Sequence, residues 1–201
     1  MWLAEVKTAR KNIVEFAVIE ELPANTELPE ATLYLALIKF ERFEWAVEKA
    51  TELAVARIVP VEASRSERGL AEGARKRVER WRRIAREAGE QSRRLRPPEV
   101  KDPIGFDRML AAETTHRIWL DERPGAPSLL SALTPSATVA FAIGPEGGWS
   151  DAERHAFDKA SWTPASLGPA ILRAETAVTA TLAVWLQTQL EMRVSGALPT
   201  P

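Results

Sequence analysis

The feature that most constrains the fold is a continuous apolar run, Leu33 to Ile38, which is typical of a strand buried on both faces of a parallel sheet. The apolar residues then take helical spacing from Phe43 to Leu53, and Arg57 to Val61 returns to a strand pattern. Together these segments predict a βαβ unit. Strand and helix patterns continue to alternate toward the C-terminus. The sequence therefore predicts an α/β domain with a mostly parallel sheet flanked by helices.

Further elements follow from the same two periodicities. A long helix is predicted because Val78, Trp81, Ala85 and Ala88 recur on one face, opposite basic residues. Ser150 with Glu153 has the spacing of a capping box, which predicts a helix start. The predicted segments are a helix over Leu70–Arg94, strands over Arg117–Leu120 and Val139–Ile143, a helix from Ser150 through Ala160, and an apolar final helix over Glu175–Leu190.

The N-terminal segment predicts two strands, Trp2 to Val6 and Ile13 to Leu22, joined by a turn at Arg10 to Asn12. In the second strand Val14, Phe16 and Val18 alternate with other residues, which favours a half-buried strand. Pro23 to Pro29 has the composition of a linker. Two short strands are not stable alone, so they must pack on something else or belong to a larger domain.

Two stretches near the C-terminus place glycine and proline directly after apolar runs. They are Ile143 to Gly148 and Leu167 to Ala177, and each is followed by a helical pattern. Glycine and proline at a strand-to-helix turn present main-chain groups in a fixed geometry. Because ligands bind beyond the carboxyl ends of strands in open α/β sheets, the two turns predict one shared pocket.

Charge and composition limit the classes of function. The 201-residue chain has a net charge of −1, yet the segment from residue 75 to residue 96 carries ten basic residues against three acidic ones, an excess of seven. That segment is a candidate site for polyanions. Cysteine is absent and the two histidines lie far apart, so no metal site is predicted. Neither a membrane span nor a signal peptide is evident, which suits a cytoplasmic protein.

The two glycine-bearing stretches, in this order and spacing, resemble those of the bacterial 16S ribosomal RNA uridine-N3 methyltransferases of the knotted SPOUT superfamily. Upstream, Lys49 to Leu53 with Ile58 to Pro60 is similar to the family's first βαβ segment. Trp81 through Ser92, with Arg94 and Pro98-Glu99, resembles its long helix and the turn after it. The likeness covers about Leu33 to Leu190.

The resemblance implies a C-terminal deep trefoil knot that holds S-adenosylmethionine. It also implies a homodimer through the knot region, in which Ala177, Ala180, Ala183 and Val184 face the second subunit, although a plain core helix is an equal alternative. Members begin with a β domain resembling an RNA-binding PUA module, so residues 1–28 are expected to be its remnant and 29–201 the methyltransferase domain. The implied cofactor-binding residues are Leu120, Glu122, Ile143, Gly144, Pro145, Glu146, Gly147, Gly148, Leu167, Gly168, Ile171, Leu172 and Thr176.

Methyl transfer to uracil N3 requires alignment of the nucleophile and removal of its proton. By the motif, Arg173 and Glu175 fall at the knot loop, and Gln91 ends the basic helix; these three are the predicted catalytic residues. Glu175 is equally explained as a helix N-terminal carboxylate, and Glu146 as a turn residue. The residues predicted to contact RNA are Lys76, Arg80, Arg83, Arg93 and Arg94, although a solvated face is the commoner role of such arginines.

Two positions depart from the family pattern. Ala54 and Arg93 both stand where a glycine is usual. Other functions also stay open at this point: methylation of a ribose 2′-hydroxyl or of another base by a SPOUT enzyme, or a catalytically impaired RNA-binding relict. Trp149 and Trp81 are expected to be core or staple residues rather than platforms for base stacking.

Overall fold

The computed structural model describes residues 2–21, 29–67, 69–114, 116–134 and 138–194. No helix in these ranges is long and apolar enough to cross a bilayer. The elements in chain order are β1 (Trp2–Arg10), β2 (Ile13–Glu21), β3 (Glu30–Ala36), α1 (Phe40–Glu52), β4 (Arg57–Glu62), α2 (Leu70–Gln91), β5 (Glu99–Val100), β6 (Ile104–Gly105), α3 (Phe106–Leu110), β7 (His116–Leu120), α4 (Leu129–Ala132), β8 (Thr138–Ile143), α5 (Asp151–Lys159), β9 (Thr163–Ala165) and α6 (Ala174–Val194).

Seven strands form one parallel sheet in the order β5-β4-β3-β8-β7-β9, with β6 also paired to β4. The apolar run predicted to be a buried strand is β3, whose Leu35 lies opposite Pro60 on one side and Ile143 on the other. Leu33 and Leu35 have no exposed surface. The predicted α/β fold with a parallel sheet is therefore confirmed. The deep trefoil knot stays a prediction.

The two faces of the sheet are covered by different kinds of side chain. On one face, aliphatic residues such as Leu33 and Leu35 pack against α1, α2, α4 and α6. On the other face, Ala36, Ala140 and Ala142 are small, and this leaves room for a cluster of aromatic rings around α3 and α5. Trp149 belongs to that cluster and Trp81 to the aliphatic one, and both are fully buried. Both tryptophans are thus core residues, as expected.

The N-terminal strands β1 and β2 form a separate two-stranded antiparallel sheet. The predicted strands are confirmed, but the half-burial expected for β2 is wrong for the described part of the chain: Val14, Phe16 and Val18 are 57%, 63% and 56% exposed. A two-stranded ribbon has no second layer behind it, so both faces meet solvent. Most of the predicted linker, 23–28, lies outside the described residues.

Three helices end in the same way, with a non-glycine residue in the left-handed region. Ala54 (φ 65°), Arg93 (φ 56°) and Ser161 (φ 57°) follow the last residues of α1, α2 and α5. In each case the next N–H bonds back to the carbonyl five residues earlier, which is the Schellman arrangement. Ala54 and Arg93 are the two positions where the related family usually has glycine, the residue that adopts this conformation without strain. The prediction that α2 extends to Arg94 is therefore wrong by three residues.

Arg94 has structural contacts in this chain, and its contact with RNA stays a prediction. Its guanidinium Nη1 donates hydrogen bonds to the carbonyl oxygens of Thr51 (3.0 Å) and Val55 (2.8 Å), at the C-terminal end of α1. A cation at that end also interacts favourably with the helix dipole. Because the guanidinium is half-buried, desolvation lowers the pKa of Arg94 from its ordinary value. Arginine keeps its charge nevertheless. The side chain joins the end of α1 to the end of α2.

We expect Arg94→Met to destabilise the protein by about 2 kcal/mol, because it removes two charge-assisted hydrogen bonds to main-chain carbonyls at the end of α1. Urea unfolding followed by circular dichroism measures the change. The matched control is Arg86→Met on α2, since Arg86 is exposed and has no partner among the described residues. Equal unfolding free energies for the two variants would contradict the structural role of Arg94.

Candidate active site

A cleft of about 250 Å³ lies where β7, β8 and β9 end. Three loops form its walls: the residues after Leu120, the residues after Ile143, and the stretch from Ser166 to Ala174. The two stretches singled out from the sequence thus meet in one place. All predicted cofactor residues except Thr176 line the cleft; Thr176 is exposed on α6. Five further residues line the cleft, of which Ala170, Ala174 and Ala177 belong to the second glycine-bearing stretch, Asp121 lies between the predicted Leu120 and Glu122, and Ser166 was not anticipated.

The glycines of the second loop differ in how strongly the structure requires them. At Gly148, φ is +65° and a Cβ atom would lie 2.4 Å from Glu122 Oε1, so a side chain would strain the backbone and would have to displace the Glu122 carboxylate. At Gly144 a Cβ would lie 3.1 Å from the Trp149 indole. At Gly147 it would meet Arg65 at 3.5 Å, an ordinary contact. Gly148 is therefore the glycine on which the loop geometry depends.

A buried arginine on α5 joins two of the three loops. Arg154 Nη2 donates to Glu122 Oε1 at 2.6 Å, and its Nε donates to Asp121 Oδ1 at 3.3 Å. Its Nη1 donates to the carbonyl oxygen of Trp149. The Arg154 side chain is 8% exposed, so these contacts are largely shielded from water. One guanidinium thus holds the loop after β7 against the loop after β8.

The neighbouring Glu153 connects the loop after β8 with the segment after β4. Its carboxylate accepts hydrogen bonds from the N–H and hydroxyl of Ser64 and from the N–H and hydroxyl of Ser150, all at 2.8–2.9 Å. The predicted capping box of Ser150 and Glu153 is present. Burial raises the pKa of the Glu153 carboxyl, but the four hydrogen bonds together outweigh burial and hold the pKa below its usual range. Arg65 Nη1 adds a bond to the Gly147 carbonyl at 2.9 Å.

The cleft walls combine apolar side chains with free main-chain donors. Ile171 is 81% exposed and Leu172 36% exposed, although both are large apolar residues. Among the described residues, the main-chain N–H groups of Ile171 and Leu172 have no hydrogen-bond partner. Apolar surface beside unpaired main-chain donors is what a flat heteroaromatic ligand with ring nitrogens requires. The cleft therefore suits a nucleoside.

None of the three predicted catalytic residues lines the cleft, but Arg173 and Glu175 flank the lining residue Ala174. Arg173 is exposed and directly precedes Ala174, which lines the cleft. Glu175 follows it in the first turn of α6; its side chain is 13% exposed, and its Oε2 is buried without a partner among the described residues. Gln91 lines a different groove, between α1 and α2. A catalytic role for Gln91 has no support in this geometry.

Arg42 of α1 is a site residue that the sequence did not reveal. Its Nη1 donates to Glu146 Oε1 at 3.2 Å, and its Nε lies 3.7 Å from Glu175 Oε1. Arg42 is separated by about a hundred residues or more from both partners along the chain, so no local pattern predicts these contacts. It connects the loop after β8 with the start of α6.

Most of the predicted RNA-binding residues on α2 are engaged in ion pairs. Arg80 donates two hydrogen bonds to the carboxylate of Glu44 on α1, from Nε at 2.6 Å and from Nη2 at 2.8 Å. The hydrogen bonding from Arg80 holds the pKa of the Glu44 carboxyl below its usual value. Lys76 lies 3.4 Å from Glu72, and Arg83 lies 3.8 Å from Glu87. Five cations of this segment have no ion pair to the described residues: Arg94, which binds carbonyl oxygens instead, and Arg75, Arg86, Arg93 and Arg96. The local positive excess is thus smaller than the sequence suggests.

Comparison with known proteins gives a consistent result. Residues 26–186 match the family model described as RNA methyltransferase domain. The chain is 34% identical over 201 residues to ribosomal RNA small subunit methyltransferase E of Bacillus subtilis, covering 92% of this chain and 77% of that protein. It is 34% identical to the protein of the same name from Synechocystis, with 91% of this chain and 61% of that protein covered.

A solved structure shares both the fold and part of the sequence. The small subunit methyltransferase E of Neisseria gonorrhoeae, crystallised with S-adenosyl methionine, superposes with a TM-score of 0.81 at 29% identity. The match covers 92% of this chain and 77% of that one. This relative binds a nucleoside-containing methyl donor, which is the type of ligand that the cleft geometry suits.

Gly148→Ala is expected to destabilise the protein by about 2 kcal/mol, because the new methyl group would displace Glu122 and the backbone would be strained. Gly147→Ala is the matched control and should change the stability by less than about 0.5 kcal/mol. Chemical denaturation of both variants provides the comparison. An unfolding free energy for Gly148→Ala equal to that of the control would show that the loop is not held as described.

Proposed function

The chain belongs to the RNA methyltransferase domain family, and from this premise we propose that it transfers a methyl group from S-adenosylmethionine to N3 of a uridine in 16S ribosomal RNA. The relatives at 34% identity carry the name ribosomal RNA small subunit methyltransferase E, which supports the small-subunit RNA as substrate. The assignment of uracil N3 rests on the resemblance of the glycine-bearing loops. The observation that carries the proposal is the cleft built by these loops.

The residues of the cleft fit the proposed cofactor. The free N–H groups of Ile171 and Leu172 are suited to adenine ring nitrogens, and the apolar side chains of Ile143, Leu167 and Leu172 are suited to its faces. When bound, S-adenosylmethionine supplies a methyl carbon activated by a positively charged sulfur. Pocket walls of this kind bind by contact and orientation, and this is the main contribution that methyl transfer needs from a protein.

We assign the proton transfer to Glu175, with Arg173 beside it. The N3–H proton of uracil must leave as the N3–C bond forms, and a carboxylate within reach is a suitable acceptor. Glu175 Oε2 is a buried acceptor without a hydrogen-bond partner among the described residues, a situation that ordinarily has a functional reason. Arg173 is exposed between the cleft residues Leu172 and Ala174. Its cation can stabilise negative charge on the uracil carbonyls or an RNA phosphate.

The proposed RNA contacts are revised by the ion pairs. Arg93 keeps its predicted role together with Arg75, Arg86 and Arg96, which are free of ion pairs to described residues. Lys76, Arg80 and Arg83 contribute only if RNA phosphates replace their carboxylate partners, and Arg94 contributes only if a phosphate replaces its carbonyl partners. The free cations lie on or just after α2, so we propose this edge as the path of the RNA backbone.

We further propose that the protein works as a cytoplasmic homodimer, with residues 1–28, which include the strands β1 and β2, as a unit distinct from the methyltransferase domain of 29–201. The support for dimerisation is the character of α6: Val178, Leu182 and Trp185 are buried in the core, and Ala180 and Ala183 on other faces are partly exposed. A helix that is apolar on several faces packs on more than one side. Light scattering after size exclusion determines the oligomeric state.

Cofactor binding and product analysis test the proposed function together. Calorimetry with S-adenosylmethionine should show binding, and small subunits lacking the modification should acquire one methyl group per target when incubated with protein and cofactor. Mass spectrometry of the digested nucleosides should give 3-methyluridine. Methylation on ribose or on another base would replace the proposed target, and an absence of cofactor binding would favour an RNA-binding relict.

Ile171→Asp should weaken S-adenosylmethionine binding by about tenfold or more, because an apolar wall residue is replaced by a hydrated carboxylate. Leu130→Asp is the matched control: Leu130 is 63% exposed, comparable with Ile171, but does not line the cleft. Both substitutions are at exposed positions, so neither should unfold the protein. Equal cofactor affinities would place the adenine elsewhere.

Glu175→Gln should lower kcat by about a hundredfold or more, the usual contribution of a general base, while the dissociation constant for S-adenosylmethionine stays within a factor of two or so. Single-turnover assays at saturating cofactor and RNA provide kcat. If kcat is unchanged and only the melting temperature falls, Glu175 is a helix N-terminal carboxylate without a catalytic role.

A further inference from the structure

A second hollow, of about 380 Å³, adjoins the cofactor cleft. The two share the wall residues Glu122, Ser166 and Gly168. The loop after β8 lines the cleft but contributes no residue to the hollow, whose other walls come from the segment between Arg123 and Ser128 and from Pro169. The hollow therefore lies between the loop after β7 and the loop after β9.

The backbone around the hollow leaves its interior open. Gly125 and Gly168 both have positive φ, +102° and +120°, and a Cβ atom at either position would meet nothing within 4 Å. The hydroxyl of Ser166 is engaged with the main chain of Gly168 in a local turn. The walls are therefore formed by turns rather than by packed side chains. A flat group can enter the hollow without displacing a side chain.

Among the described residues that line the hollow, Arg123 is the one with a positive charge. Arg123 is 51% exposed and forms an ion pair with Asp151, which is 79% exposed. Exposed ion pairs contribute little to stability, because both charges are well solvated without each other. A guanidinium binds phosphate through two parallel hydrogen bonds at least as well as it binds a carboxylate. Arg123 can therefore exchange Asp151 for a phosphate with little energetic cost.

We propose that this hollow receives the nucleotide to be methylated, turned out of the RNA strand, and that Arg123 binds a phosphate flanking it in place of Asp151. The proposal rests on the proposed function, since it places the target base next to the methyl donor across the shared wall of Glu122, Ser166 and Gly168. Enzymes that modify a base take it out of the stack into a pocket, so a separate pocket beside the cofactor site is required.

Two substitutions at the ion pair should act in opposite directions. Arg123→Gln should weaken binding of a fluorescently labelled, uridine-containing single-stranded RNA about tenfold and lower the slope of log affinity against log salt by roughly 0.7, because one phosphate contact is lost. Asp151→Asn should strengthen RNA binding several-fold, because it removes the carboxylate that competes for Arg123. Fluorescence anisotropy measures both, and Arg108→Gln, an exposed arginine on α3, is the control.

The outcomes distinguish this proposal from its alternatives. If Arg123→Gln and Asp151→Asn change RNA affinity in the same direction, or not at all, the ion pair is structural and the proposal is overturned. Cofactor affinity measured by calorimetry should be unchanged in both variants; a weakened affinity would assign the hollow to the cofactor instead. Failure of the unsubstituted protein to bind S-adenosylmethionine would refute the proposed function, whereas RNA affinity reports on the hollow independently.

Filling the hollow provides a second test. Ala126 lines the hollow but not the cofactor cleft. Ala126→Phe should raise the KM for RNA about tenfold or more with an unchanged dissociation constant for S-adenosylmethionine, because the phenyl ring occupies the space of the base. Ala126→Ser, which adds a single oxygen, should retain the KM of the unsubstituted protein. An unchanged KM in Ala126→Phe would show that the base binds elsewhere.

Discussion

The geometry of the cleft depends on the buried guanidinium of Arg154. It contacts two carboxylates, Asp121 and Glu122, and the main-chain oxygen of Trp149. Burying a cation raises the free energy of the folded state unless its hydrogen bonds are made. The loops that supply the acceptors are therefore held within hydrogen-bonding distance of the guanidinium. These loops follow different strands and would otherwise be free to separate. Removing the arginine would leave the negative charges of Asp121 and Glu122 close together without the positive charge that pairs with both.

The adjacent residue extends this connection to a further loop. Glu153 accepts four hydrogen bonds from Ser64 and Ser150, so a single turn of α5 fixes the segments after β4, β7 and β8. The position of α5 is set in turn by aromatic packing on the small residues of the sheet: Phe157 stacks on Trp119 with ring centroids 4.9 Å apart. Ala140 and Ala142 make space for these rings. Two alanines of β8 thus help to determine where the binding loops lie.

The sequence predicted the elements and the meeting of the two glycine-bearing loops, because both depend on local patterns. Apolar periodicity locates β3 and α2, and the carboxyl ends of parallel strands share one edge. The end of α2 was missed because Arg93, rather than glycine, occupies the left-handed position. The carbonyl partners of Arg94 and the groove at Gln91 could not be predicted, because a helical pattern shows which face is basic but not which distant group a side chain contacts. Arg42, Arg65 and Arg154 were missed for the same reason, since their partners lie on other segments.

The contacts of Glu175 connect the described architecture with the proposed chemistry. Arg42 hydrogen-bonds to Glu146, whereas its 3.7 Å separation from Glu175 is too long for a hydrogen bond and leaves an electrostatic attraction alone. Glu175 therefore has a nearby positive charge but, among the described residues, no donor on either carboxylate oxygen. A structural carboxylate at this level of burial is normally satisfied by donors, as Glu153 is. The contrast between these two carboxylates, one saturated with hydrogen bonds and one without, is the structural reason to place the proton acceptor at Glu175.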